Sequence, residues 1–250
     1  MDGPCLEIWP SSRSTSTGFP ASLFAAGTLS VQLGESLAIL GPSGSGKTTL
    51  LGILAGLIPT DGWGQWPGQG AFARTALMVQ NDGLLPWFSV SDNVTLGARL
   101  RGEAPNQPRC DELLRDVGLD EVHNALPETL SGGMQQRAAL ARALYEDADL
   151  LLLDEPFSSL DAITRRQMQH LTRQATAGRT LVLVTHDPDE AWLMGDRIIV
   201  LEGRPARLCE VPKSDSADAL WQRVLQTTPE SEAAATSQPD RVRTSRMAQA

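Results

Sequence analysis

Gly41-Pro42-Ser43-Gly44-Ser45-Gly46-Lys47-Thr48 follows the apolar run Leu37-Ala38-Ile39-Leu40 and opens onto the apolar stretch from Thr49 to Ile58. This is the spacing G-x-x-x-x-G-K-[ST] in a strand, loop, helix setting, the pattern of a loop that cradles phosphates. Glycines let the backbone curl until its N–H groups point inward, and the positive end of the following helix adds to the field at the same place. In such a loop Lys47 reaches the β- and γ-phosphates of a nucleotide and Thr48 ligates Mg²⁺. A plain glycine turn is the competing reading, but it explains neither the full spacing nor the Lys-Thr ending. The loop predicts nucleotide binding and leaves open what the energy is used for.

The 250 residues suffice for one large α/β domain, or for one domain with a small inserted subdomain. A hydrophobic content of 41% and a charged content of 20% are those of a globular chain. The net charge of -9 argues against nucleic acid as the main partner, because such partners call for basic faces. Lysine occurs only at Lys47 and Lys213, so Lys47 stands out among arginines. Cys5, Cys110 and Cys209 lie far apart and lack C-x-x-C spacing, which predicts reduced thiols in a cytosolic protein and no cysteine metal site. No apolar stretch of about 18 residues could span a bilayer, so a membrane role is expected to come through a partner.

Around the loop, Cys5 to Trp9 predicts an edge strand and Ser11 to Gly18 a polar link. Leu29, Val31 and Leu33 alternate with polar residues as in a half-buried strand, and the helix after the loop is expected to run to about Leu57. Asp61 to Gly70 reads as a tight hairpin or loop, and Ala76 to Val79 as a strand ending at Gln80. From Asp82 to about Glu146 the pattern turns helical, with Val90 to Leu100, Asp111 to Val117 and Met134 to Leu144 as amphipathic segments. Leu150 to Leu153 and Thr180 to Thr185 fit central strands covered on both faces, separated by a helix from Leu160 to Ala177 that Gly178 closes. Ile198 to Leu201 predicts a late strand. Beyond Pro212 the chain is polar, with disorder expected for most of it from Thr227.

Asp154 ends an apolar strand, which sets its carboxylate at the carboxyl edge of the sheet, where open α/β sheets bind ligands, and suits it to hold Mg²⁺ through water. Glu155 should point to the opposite side of the backbone, where it could polarise a water for attack on the γ-phosphate. His186 also follows an apolar strand and could bond a γ-phosphate oxygen; alone it would more often be a capping or core residue. Gln80, at another strand end, could contact Mg²⁺ and the attacking water. Leu130-Ser131-Gly132-Gly133-Met134-Gln135-Gln136-Arg137 places a capping serine and two glycines before a helix, a second anion site in one chain. One chain has little need of two γ-phosphate sites unless the second serves another subunit.

Taken together, these residues resemble the ATP-binding subunit of ABC transporters. The ordered match covers about residues 5 to 210: phosphate loop, Gln80, Leu130 to Arg137, Leu150 to Glu155, Ser158-Ser159-Leu160-Asp161 and His186. The resemblance implies a phosphate-loop NTPase with a mostly parallel central sheet, an antiparallel β part and a helical subdomain inserted at about 83–147. It makes 1–211 the ATPase domain and 212–250 a largely disordered tail, with no second regulatory domain. It further implies ATP contacts from Gly41, Pro42, Ser43, Gly44, Ser45, Gly46, Lys47, Thr48 and Thr49, and Mg²⁺ held by Thr48, Gln80 and Asp154. Glu155, His186, Lys47 and Gln80 would carry the chemistry. A head-to-tail homodimer would sandwich two ATPs, each completed by Ser131, Gly132, Gly133, Gln135 and Asp161 of the other subunit.

Within the family, Gln80 to Trp87 and Thr185 to Ala191 look most like importers of nitrate, sulfonates, taurine or thiamine precursors. Such a subunit works at the cytoplasmic face of the inner membrane with two integral-membrane subunits and, indirectly, a solute-binding protein. The patch Leu84 to Phe88 is either core or the surface that receives the membrane subunit. The family usually stacks adenine on an aromatic residue upstream of the loop. Phe19 is the candidate here and Phe24 the second, with a core role as the alternative for either. An exporter subunit stays open. A DNA-repair or translation ATPase fits less well, for want of a long coiled-coil insertion, a basic face or a second cassette.

Overall fold

In a computed structural model, residues 4–8, 23–59, 64–65, 72–80, 83–213 and 217–227 are described. Six strands make the central sheet: β3 (Ser36–Leu40), β5 (Thr75–Met78), β6 (Leu150–Asp154), β7 (Thr180–Thr185), β8 (Arg197–Glu202) and β9 (Arg207–Val211). Their order is β5-β6-β7-β3-β8-β9, parallel throughout except for the antiparallel β8/β9 pair. A second, antiparallel sheet has β1 (Cys5–Ile8) between β2 (Gly27–Ser30) and β4 (Gly64–Gln65). The expected edge strand at Cys5 is therefore the middle one of the three described strands, because the short segment at Gly64 pairs with its free side.

Side-chain alternation along the strands divides the core. Leu37, Ile39, Leu150, Leu152, Val182 and Val184 pack with α1 (Lys47–Leu54) and with Leu6 and Leu29 of the antiparallel sheet. On the other face Leu151, Leu153, Leu181 and Leu183 join the helical part. That part comprises α2 (Val90–Val94), α3 (Leu96–Leu100), α4 (Gln107–Asp116) and α5 (Gly132–Tyr145). The predicted single helix from Val90 to Leu100 divides at Thr95, whose hydroxyl donates to Ser91 O at 3.0 Å and competes with the helical ladder. α1 stops at Leu54, short of the expected Leu57, in a turn where Gly56 takes φ 72°.

After β6 comes α6 (Ala162–Ala175), capped by the Asp161 carboxylate, which accepts from the Ile163 and Thr164 N–H groups. α7 (Pro188–Met194) and α8 (Ala217–Thr227) cover β3 and β8, where Ala191, Leu220 and Val224 pack on Ala38, Leu40, Ile198 and Val200. α8 lies in the stretch read from sequence as a polar tail. Residues 214–216 and 228–250 of that tail, and Phe19, fall outside the described residues.

Candidate functional site

The glycine loop leaves the carboxyl end of β3, which has β7 and β8 as neighbours. Gly44 and Gly46 take φ of 77° and 99°, the left-handed region in which a side chain would be strained. A Cβ on Gly46 would also lie 2.9 Å from the Phe24 ring. Phe24 is buried beneath the loop, so it is a core residue, not an open stacking surface. Gly46 caps α1 without a side-chain bond, which leaves the first N–H groups of the helix directed at the loop.

Lys47 is 5% exposed; its Nζ donates to Gly41 O at 2.8 Å and Pro42 O at 3.1 Å and lies 3.6 Å from Glu155 Oε1. Burial lowers the ammonium pKa, while Glu155 and Asp154 oppose the shift. Burial raises the Asp154 carboxyl, partly offset by a hydrogen bond from the Thr48 side chain. Asp154 Oδ1 has no hydrogen-bond partner among the described residues. A buried acceptor held so, beside a threonine hydroxyl and a lysine, suits a hard cation bound together with phosphate oxygens.

Strand alternation predicted Glu155 on the side of the backbone away from Asp154. Glu155 lies beyond the end of β6 at φ 47°, outside the alternation of the strand, and its Oε1 comes within 3.6 Å of Lys47 Nζ. Its Oε2 lies 3.0 Å from His186 Nδ1, and the Glu155 N–H donates to Val184 O at 2.9 Å. His186 follows β7, the strand paired with both β3 and β6, so parallel pairing brings loop, acids and histidine to one sheet edge. Gln80 lies just past β5, exposed, next along that edge.

The second glycine stretch starts α5. Ser131 Oγ accepts from Met134 N at 3.3 Å, Ser131 and Gly132 are exposed, and nothing lies within 4 Å of a Cβ placed on Gly132. The Gln135 amide turns into its own subunit, donating to Pro127 O at 2.8 Å and Leu130 O at 3.3 Å. Among the described residues no hydrogen bond joins Ser131–Gly133 to the phosphate loop. Two further groups gave no distinct signal in the sequence: Gln136, buried against the Glu155 turn, and Glu190, buried in α7 beside it. A cleft of about 390 Å³ flanks the loop on its other side, lined by Leu23, Gly44, Ser45, Gly203, Arg204, Pro205 and Ala206.

A parallel sheet with this loop on a central strand and an acidic pair on a neighbouring strand end defines a phosphate-loop ATPase. The ABC transporter family profile matches residues 25–158, more than half of the chain. The taurine import ATP-binding protein TauB of Jannaschia sp. (strain CCS1) is 44% identical over 189 residues, 72% of this chain and 70% of that protein. The aliphatic sulfonates import ATP-binding protein SsuB 2 of Burkholderia cenocepacia (strain HI2424) is 45% identical over 195 residues, 76% of this chain and 72% of that protein. Among solved structures, the dimeric post-hydrolysis state of the ATP-binding cassette MJ0796 bound to ADP and Pi superposes with a TM-score of 0.70. It is 28% identical, covering 84% of this chain and all of that one. The chain belongs to the ABC transporter family.

Proposed function

We propose that the chain is the ATP-hydrolysing subunit of an importer for a small organosulfonate, the solute class named for the TauB and SsuB relatives. The observation that carries the catalytic reading is the line from buried Lys47 through buried Glu155 to the exposed ring of His186 at the mouth of the phosphate loop. The backbone N–H groups of Ser43 to Thr49 bind the phosphate chain of ATP, with Gly41 and Pro42 forming the start of the loop. Lys47 exchanges its two loop carbonyls for phosphate oxygens when the nucleotide enters. Asp154, Thr48 and Gln80 would hold Mg²⁺, and the ion would supply charge neutralisation on the phosphate chain. Glu155 accepts a proton from the attacking water, and His186 holds that carboxylate in place through Nδ1. The base and ribose lie in the cleft by Arg204, with Phe19 as the stacking candidate.

The active assembly is a head-to-tail homodimer in which Ser131, Gly132 and Gly133 contact the γ-phosphate in the other subunit and Asp161 lies at the seam. MJ0796 is dimeric in the solved structures, which supports this arrangement. Gln135 takes part through its backbone, since its side-chain amide is engaged within its own subunit. No helix among the described residues is long and apolar enough to cross a membrane. Closure is passed to two integral-membrane subunits at the cytoplasmic face of the inner membrane, and a solute-binding protein delivers the solute. Leu84 to Phe88, with Trp87 67% exposed and Leu84 against the core, is the docking patch. Nucleic acid is not a partner.

Replacing Glu155 by Gln tests the base. The variant should bind ATP as the parent does, accumulate as an ATP-bound dimer, and lose turnover by at least about a hundred-fold. Normal hydrolysis in Glu155→Gln would sink the assignment.

A further inference from the structure

Gln136 is 1% exposed, and its amide is spent on a single turn of chain. Nε2 donates to Glu155 O at 3.0 Å and to Ser158 Oγ at 3.1 Å, while Oε1 accepts from Ser159 N at 2.8 Å. Ser158 Oγ in turn donates to Glu155 O at 3.1 Å. The Glu155 carbonyl thus receives two side-chain donors, besides Ser158 N at 3.3 Å. That carbonyl belongs to the described non-glycine residue with positive φ, a conformation that persists only where its surroundings over-determine it.

One turn earlier on the same helix, Gly133 approaches the same turn, since a Cβ there would lie 3.3 Å from Ser159 O. The turn then runs directly into Asp161, the cap of α6. Gln136 and Gly133 therefore clamp the start of α5 to the segment Glu155–Ser159 at two points. The exposed end of that helix start is Ser131 and Gly132.

We infer that Gln136 is a positioning residue: it ties the helix start that faces the partner's nucleotide to the turn that aims the subunit's own Glu155 at Lys47 and His186. This rests on the sandwich-dimer reading above. When Ser131–Gly133 shift onto a nucleotide held by the other subunit, the rigid helix carries Gln136 with them and the Glu155 peptide moves. Occupancy of one half-site is thereby linked to the aim of the base in the other, and the linkage is reciprocal. A buried amide serves this better than an apolar side chain, because any displacement that breaks its bonds leaves buried polar groups unpaired.

Two variants of the full chain test this, with ATP hydrolysis, ATP binding and thermal unfolding measured together. Gln136→Met keeps the volume and removes all three bonds; Gln136→Glu keeps acceptance from Ser159 N and, once protonated, regains a donor to Glu155 O. Expected for Gln136→Met is a fall in kcat of about ten-fold or more with ATP affinity within about two-fold of the parent. The linkage makes the parent's dependence on ATP sigmoid, and that of Gln136→Met should be hyperbolic. Gln136→Glu should recover towards the parent's rate as pH falls, measured as a ratio to the parent at each pH. Should Gln136→Met not fold, Gln136→Asn, too short to reach Glu155 O, carries the same expectation. A folded variant that keeps both kcat and cooperativity, or one that loses affinity in step with rate, overturns the inference. Failure of the parent itself to dimerise around ATP would instead overturn the sandwich reading and leave a distinct signature.

Discussion

Glu190 is 4% exposed, and its Oε1 has no hydrogen-bond partner among the described residues. Burial pushes its carboxyl from 4.5 up to about 8, with Asp187 and Glu155 adding to the shift and the Thr185 hydroxyl and Arg165 opposing it. The folded chain therefore keeps a proton that the unfolded chain releases above its ordinary pKa. Stability from this proton is full below the ordinary carboxylate range and drains away as pH rises towards about 8. The slope for one such group is about 1.4 kcal/mol per pH unit within that window. Glu190→Gln lacks the titration, so its melting temperature should gain on the parent's from about pH 5 to about pH 8 and then run parallel. An unchanging gap across that range would show that the carboxyl is ionised in the fold. At this scale the sequence was partly legible: Lys47, Asp154, Glu155 and His186 stood out by spacing. Glu190 did not, because its burial is imposed by the packing of α7 on β3 and β7. Nor was the aim of Glu155, since period-two alternation ends with the strand and a left-handed residue follows it.

Among the elements, α8 is the one whose docking hydropathy concealed. Leu220 and Val224 are spaced one helical turn apart in an otherwise polar segment, and both are buried against α7 and β8. Leu220→Ala should cost about 2 to 5 kcal/mol in urea unfolding if this helix is part of the cooperative unit. A loss below about 0.5 kcal/mol, the scatter expected of a surface change, would mean that α8 is not docked in solution. The strands were easier to read. Leu150–Asp154 and Thr180–Thr185 are buried at every position, and a continuous apolar run needs no partner information to be recognised. The pairing of Cys5–Ile8 with Gly64–Gln65 was not legible, because two residues carry no period of their own.

For the whole molecule, the exposed start of α5 decides whether one chain suffices. Gly132 borders open space and does not have positive φ, so the fold of a single subunit makes no demand for glycine there. On the proposed dimer reading, the demand comes from what the helix start meets in the second copy. Gly132→Asp should leave thermal unfolding and ATP binding unchanged, while ATP-driven dimerisation measured by light scattering is lost. Hydrolysis should fall by about a hundred-fold or more, because a carboxylate would face the γ-phosphate. Retained hydrolysis in a monomeric Gly132→Asp would mean that the phosphate loop works without a second copy.

The sequence by itself determined the phosphate loop, the acidic strand end, the glycine-led helix and the family, because each depends on residue types at short, fixed spacing. Tertiary structure alone decided that Glu155 pairs with Lys47, that His186 bonds Glu155, and that Gln136 binds the Glu155 turn. Those contacts join residues distant along the chain through parallel strand register and a left-handed turn. Neither leaves a periodic trace in the residues it brings together.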